Sequence, residues 1–241
     1  ARQRVGNWPG KTVEKKEGYY VRDSVRYRVT DLPGTYSLSA NSEEEIITRD
    51  YIASGEADIV CILADSSQLS RSLFMLADYA GIECPAVLLL NLMDVAESQG
   101  KTVDAIKLEE KLGIPVIPFV AADHRQYGAF FETVDRALKE KQQINIDSLI
   151  EKCCSIESGV YKKVLALMPT EGIESYSAPW LATKLLEGDT AVLEKVKNTL
   201  DTEAYQEVQT ILSSVQNGAL HTGGCKFQWV DELLSDVLVQ K

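Results

Sequence analysis

Two hydrophobic periods alternate along the first 140 positions. Runs at 58–64, 86–90 (Ala-Val-Leu-Leu-Leu) and 114–119 are apolar almost throughout. Such runs predict strands buried on both faces. Between and after them, 69–80, 103–112 and 130–141 carry apolar residues at helical spacing. Strands separated by helices predict right-handed crossovers and an α/β fold with a doubly wound, mostly parallel sheet. Ahead of this lies a different pattern. Gly18-Tyr19-Tyr20-Val21 and Val25-Arg26-Tyr27-Arg28-Val29 flank Asp23-Ser24, which predicts a hairpin. Ser42 and Glu45 have capping-box spacing and open a helix running to about residue 54. After Gln142 the strand pattern stops. Helical periodicity covers 147–168, 177–187, 189–200, 202–216 and 226–240, punctuated by Pro169, Pro179, Gly188 and Gly218. The predicted organisation is an α/β domain over 1–142 and an all-helical domain over 143–241.

Composition narrows the classes. Of 241 residues, 45% are hydrophobic and 25% charged, which excludes disordered and low-complexity chains. The net charge of −11 disfavours nucleic acid as a partner. Residues 1–30 nevertheless hold eight Lys/Arg against three Asp/Glu, so a local basic region sits at the front. Uncharged apolar stretches such as 84–93 and 113–122 run to about ten residues, where spanning a bilayer needs roughly 20. No signal peptide is read at the front, and five cysteines without a CxxC pair indicate a reducing, cytosolic compartment.

Ligands of doubly wound sheets bind at the carboxyl ends of strands. Three loops there carry candidate chemistry. Asp31-Leu32-Pro33-Gly34 follows the strand ending at Thr30. Its Asp can hold Mg²⁺ through water, and its Gly lets a backbone N–H approach a terminal phosphate. Asn91-Leu92-Met93-Asp94 follows the Ala-Val-Leu-Leu-Leu strand. A carboxylate only accepts, so Asp94 can take two hydrogen bonds from the guanine edge, which adenine cannot supply. Asn91 can brace the loop. Each motif is weak alone. DxxG followed by strand–helix–strand and then NxxD about 60 residues on is the layout of a guanine-nucleotide protein. The third loop, Val120-Ala121-Ala122, stands where such proteins usually have Ser-Ala contacting the base.

The front of the chain carries a family resemblance. Arg2-Gln3-Arg4-Val5-Gly6-Asn7-Trp8-Pro9-Gly10 and Thr12-Val13-Glu14-Lys15-Lys16-Glu17-Gly18 closely resemble the first switch of the bacterial ferrous iron transport protein B (FeoB) family. Asp31 to Leu38 resembles its second switch, Asn91–Asp94 its base-recognition motif, and the helical tail near Phe227-Gln228-Trp229-Val230-Asp231 its helical domain. The resemblance implies a GTP-hydrolysing switch that regulates Fe²⁺ uptake at the cytoplasmic face of the bacterial inner membrane. It implies GTP/GDP and Mg²⁺ as ligands. Thr12 and Asp31 would serve the metal, and Gly34 would sense the terminal phosphate. Gly10, Lys11, Val13 and Glu14 would join Thr12 in the first switch. Lys11 replaces the family's usual apolar residue. Expected partners are the membrane portion of the same transporter and small accessory Feo proteins, with self-association open.

One part of this machinery is missing. A phosphate loop reads GxxxxGK(S/T) between a strand and a helix. Gly6-Asn7-Trp8-Pro9-Gly10-Lys11-Thr12 has three intervening residues, no apolar strand before it and an extended pattern after it. It is read as an imitation. The expectation is a front truncated by about 25 residues, counting a strand, loop and helix, with poor nucleotide affinity as the result. Thr35 occupies the place of the water-positioning Gln of many small GTPases, so hydrolysis is expected to be slow and no catalytic base is named. A second reading is a non-catalytic interaction module docking on a membrane transporter. A third, a GTPase of ribosome assembly, conflicts with the acidic charge.

Other residues take structural readings. His221 and Cys225 are four apart, but Gly223 and Gly224 argue against a helix that would pair them. Cys153-Cys154, Trp180 and Trp229 are read as core. Asp65 and Arg71 are read as a cap or ion pair, and Lys15-Lys16 as a solvated strand edge. Trp8 is read as exposed in a switch, open to a partner.

Overall fold

The computed structural model describes residues 3–9, 11, 13–35, 42–120, 122–156 and 158–240. Strands β1 (Gln3–Asn7), β2 (Glu14–Arg22) and β3 (Val25–Asp31) form an antiparallel sheet in that order. The β2–β3 turn is the expected one. Arg22 pairs with Val25, and Asp23 and Ser24 both take positive φ, 48° and 67°. A two-residue turn with both φ positive matches the right-handed strand twist. The sequence pattern did not reveal β1, whose five residues carry one apolar side chain, Val5.

The parallel sheet runs β4 (Val60–Asp65), β5 (Ala86–Asn91), β7 (Val116–Pro118), with β5 in the middle. Ala86 to Leu90 are 0–2% exposed, the burial that their solid apolar run predicts. Helices α2 (Leu69–Tyr79) and α4 (Ala105–Leu112) pack in the main core with Leu88 and Leu90. Helix α5 (Tyr127–Glu140) brings Ala137 against Val87 and Leu89 on the other face. Both faces are covered, as in a doubly wound fold. The remaining elements of this half are α1 (Glu43–Ala53), α3 (Met93–Ser98) and β6 (Lys101–Val103). Ser42 caps α1, accepting from the Glu45 N–H at 3.1 Å. The front sheet does not share a ladder with β4 among the described residues, and Leu63 of β4 is exposed on the face shared with Leu89.

The second half contains α6 (Asp147–Cys154), α7 (Val160–Leu167), α8 (Ala178–Leu186), α9 (Thr190–Thr199), α10 (Thr202–Ser214) and α11 (Gly218–Leu234), followed by β8 (Leu238–Gln240). Three expectations fail here. The helix expected over 147–168 is two helices, separated before Gly159, which caps α7 at φ 61°. The last helix starts at Gly218, so Gly223 and Gly224 lie inside it. Each costs about 1 kcal/mol against alanine; the buried stripe of Cys225, Trp229, Val230 and Leu233 outweighs that cost. Strands do not end with the first half either. β8 returns and pairs antiparallel with β6, Lys101 opposite Gln240. Among the described residues no helix is long and apolar enough to cross a membrane.

One core joins the halves: Leu73 and Leu76 of α2 cluster with Trp180 and Leu181 of α8 and Trp229 of α11. Inside it sits a charge cluster. Asp78 of α2 accepts from Lys184 Nζ of α8 at 2.7 Å and from Lys226 Nζ of α11 at 2.5 Å. Glu187 accepts from the same two ammoniums at 2.8 and 2.5 Å. Burial alone would raise the Asp78 carboxyl, but Lys226 and Lys184 outweigh it and hold the group below the usual range.

Candidate functional site

The Asn91–Asp94 loop leaves the C-terminal end of the buried strand β5, where Asn91 lies in register with Asp65 of β4. Leu92 takes φ 57°, and Asn91 Oδ1 accepts its N–H at 2.9 Å. That bond braces a conformation L-residues seldom adopt. The turn starts α3, and Asp94 falls in its first turn, where the helix dipole favours a negative charge. Asp94 is exposed, and its carboxylate has no ion-pair or hydrogen-bond partner among the described residues.

The third loop opens at the same end of the sheet. Leu90 pairs with Pro118, and the Phe119 N–H donates to Leu90 O at 2.9 Å. Val120 and Ala122 are exposed. The Val120 N–H donates to Gln126 Oε1 at 2.8 Å, so this backbone donor is committed within the loop. Ala121 lies outside the described residues.

The 31–34 loop sits on the other sheet. Asp31 is the last residue of β3, opposite Lys16 of β2; it is exposed, and its carboxylate has no ion-pair or hydrogen-bond partner among the described residues. Leu32 is half-buried against the core. Pro33 O accepts from Thr48 Oγ1 of α1 at 3.2 Å. Gly34 is exposed, with open space where a Cβ would stand. No hydrogen bond or ion pair joins this loop to 91–94 among the described residues.

Within the 6–12 stretch, Gly6 and Asn7 end β1, and the described residues that follow, Trp8, Pro9 and Lys11, belong to its connection to β2. The Trp8 N–H donates to Val13 O and the Lys11 N–H to Trp8 O, each at 3.0 Å, between antiparallel β1 and β2. A phosphate loop joins a strand to a helix, so the imitation reading fits this geometry. Lys11 pairs with Glu43 at 3.3 Å, and Glu14 with Lys16 at 3.3 Å. Gly10 and Thr12 lie outside the described residues. Trp8 corrects the expectation of an exposed switch tryptophan. It is 7% exposed, edge-on to Tyr51 at 5.1 Å and packed with Ile47. An indole beside an apolar helix face is buried whatever the role of its segment.

His221 and Cys225 share helix α11, against the expectation, but Cys225 Sγ donates to His221 O, and no described group of three or more His, Cys, Asp or Glu is placed to hold a metal. Sequence reasoning missed Arg49 and Asp78. Charged residues on helices read as solvated, and only the packing of the second half buries them.

Comparison with known proteins places the chain in a lineage. The family described as ferrous iron transport protein B matches residues 1–134, and the FeoB cytosolic helical domain matches 155–223. The Fe(2+) transporter FeoB of Shigella flexneri is 32% identical over 238 residues, covering 95% of this chain and 29% of that protein. The Salmonella typhi transporter is 33% identical over 241 residues, with the same coverages. The chain thus spans 29% of the length of these relatives. The cytosolic domain of L. pneumophila FeoB superposes with a TM-score of 0.78 at 29% identity, covering all of this chain and 91% of that one. The cytosolic domain of the T. maritima FeoB iron transporter in its GMPPNP form gives 0.76 at 28%, covering 99% and 90%. With more than half of its length matched by the first of these families, the chain belongs to the ferrous iron transport protein B family.

Proposed function

We propose that residues 1–142 bind guanine nucleotide and hydrolyse GTP as a switch, and that 143–241 carry its state toward a membrane portion that takes up Fe²⁺ at the bacterial inner membrane. One observation carries the nucleotide assignment. Asp94 presents a carboxylate with no partner among the described residues, at the end of the buried strand β5, in a loop braced by Asn91. Such a group selects guanine because a purine without the paired donors leaves it desolvated and unbonded. The solved T. maritima relatives in GMPPNP and GDP forms support this choice of nucleotide.

Mg²⁺ fits the donors present. The Asp31 carboxylate, without an ion-pair or hydrogen-bond partner among the described residues, is a hard oxygen donor, and Mg²⁺ needs few protein ligands beside water and phosphate. Asp31 would hold it through water and Thr12 through its hydroxyl; bound there, the ion neutralises charge on the phosphates. Gly34 leaves room for a phosphate oxygen near the backbone. With Thr35 in place of a water-positioning Gln, the expected hydrolysis is slow. A second reading is a non-catalytic docking module.

Nucleotide titration of the full-length protein separates the two. GTP should bind in preference to ATP, and Asp94→Asn should weaken GTP by two or more orders of magnitude. That variant should gain xanthosine triphosphate, whose 2-carbonyl suits an amide donor. A variant that keeps its preference for GTP removes Asp94 from the site, and a full-length protein blind to GTP leaves the docking module. A fluorescent GTP analogue should bind the 241-residue chain poorly.

A further inference from the structure

Helix α1 follows the 31–34 loop, and three of its consecutive residues face three different parts of the molecule. Ile47 packs on Trp8 and Tyr51. Thr48 donates to Pro33 O at 3.2 Å. Arg49 donates from Nη1 to Asp189 Oδ2 at 2.7 Å. All three are buried, at 7, 7 and 2% exposure. Successive helix positions are about 100° apart, so these residues cover most of the circumference. A surface helix has no need of that. Thr30 of β3 and Tyr51 add a hydrogen bond at 3.1 Å. Helix α1 cannot shift or turn without disturbing the front sheet, the 31–34 loop and the second half of the chain together.

The receiving group is also unusual. Asp189 is the N-cap of α9, and its oxygens divide the work. Oδ1 accepts from the Ala191 and Val192 N–H groups at 3.0 Å each, and Oδ2 takes Arg49. Burial alone would lower the Arg49 guanidinium; the Asp189 and Asp50 carboxylates outweigh it and keep the charge. Five residues before Asp189, Lys184 is fixed to Asp78 of α2, as Glu187 is fixed through Lys226. The 184–189 corner is therefore gripped twice. One grip comes from α2, which lies on the rigid parallel sheet. The other comes from α1, which hangs on the 31–34 loop.

We propose that Arg49 is a positioning residue that couples the 31–34 loop to the α8–α9 corner, so that the state of that loop sets the opening of the first turn of α9. This rests on the reading of 31–34 as a nucleotide-sensing loop. The α2 grip is the pivot and the Arg49–Asp189 pair is the latch. Coupling is reciprocal: an event that opens the first turn of α9 changes the preference between GDP and GTP by the same factor.

Hydrogen exchange at the 191–193 amides of the full-length protein, with GDP and with a non-hydrolysable GTP analogue, tests the latch. Nucleotide binding is measured first. The wild type should show a difference between the two states of roughly 5- to 150-fold. Arg49→Gln should reduce it to none, and Arg49→Lys, which keeps the charge, should retain part of it. Asp189→Asn preserves a good cap while discarding the ion pair, so it should also lose the difference and serves should Arg49→Gln fail to fold. A purely structural role predicts faster exchange in both states with the difference intact, and that result overturns the proposal. Binding of both nucleotides with no difference in the wild type overturns it too, leaving the site reading untouched. Absence of binding sinks both.

Discussion

Strands β5 and β3 each end in a loop with a candidate nucleotide ligand, and they are built on opposite plans. Ala86 to Leu90 of β5 are sealed between helices on both faces. In β3 the side chains of Val25 and Val29 are 52 and 57% exposed. The ion pairs around the front sheet, Lys15–Glu17, Lys16–Glu14 and Arg28–Glu56, are solvated, each worth about 1 kcal/mol or less. The local basic charge at the front is thus largely matched by acidic neighbours. The base end of the proposed site stands on a support that cannot move without unfolding the core. The phosphate end stands on a wet ladder steadied by α1. A switch needs one fixed end and one movable end, and the difference in burial supplies both.

The sharpest way to break this contrast is to attack the rigid side. Asp78→Ala removes a carboxylate from two buried ammoniums and should cost about 3–5 kcal/mol in urea unfolding. The same carboxyl gives a pH signature. Its folded pKa lies below the ordinary 3.8, so its stabilisation is complete above that value and fades as pH falls through the folded pKa. Asp78→Asn should flatten that part of the acid limb; an unchanged limb assigns acid lability elsewhere. Next comes a matched pair of truncations. Leu88→Ala in β5 should lose about 2–5 kcal/mol, and Val29→Ala in β3 should stay within about 0.5 kcal/mol. Equal losses would mean the front sheet is as tightly held as the core. The smallest effect sharpens the picture from the mobile side. Replacing Asp23-Ser24 by Asn-Gly suits two positive φ values and should add about 0.5 kcal/mol, read as a higher Tm.

How far the sequence speaks follows the same divide. The parallel strands were legible because a residue buried on both faces must be apolar, and 86–90 admits no other reading. The hairpin was legible through Asp23-Ser24, and the loops at 31–34 and 91–94 through their position after strands. Edge elements were not. β1 and β8 are short ladders whose partners lie elsewhere in the chain, and α3 has six residues. Gly223-Gly224 hid the start of α11, since local propensity says nothing about the stripe that Trp229 buries. Arg49, Asp78 and Lys226 were invisible for a stronger reason. A charge becomes an internal fastening only when a distant partner arrives, and Arg49 and Asp189 are 140 positions apart.

The pairing of β6 with β8 sets an order of events during synthesis. Residues 101–103 leave the ribosome long before 238–240, on the order of ten seconds earlier at common elongation speeds. Through that interval the nascent first half holds an unmated edge beside the loop that carries Asp94, and that edge is completed only when residues 238–240 have been made.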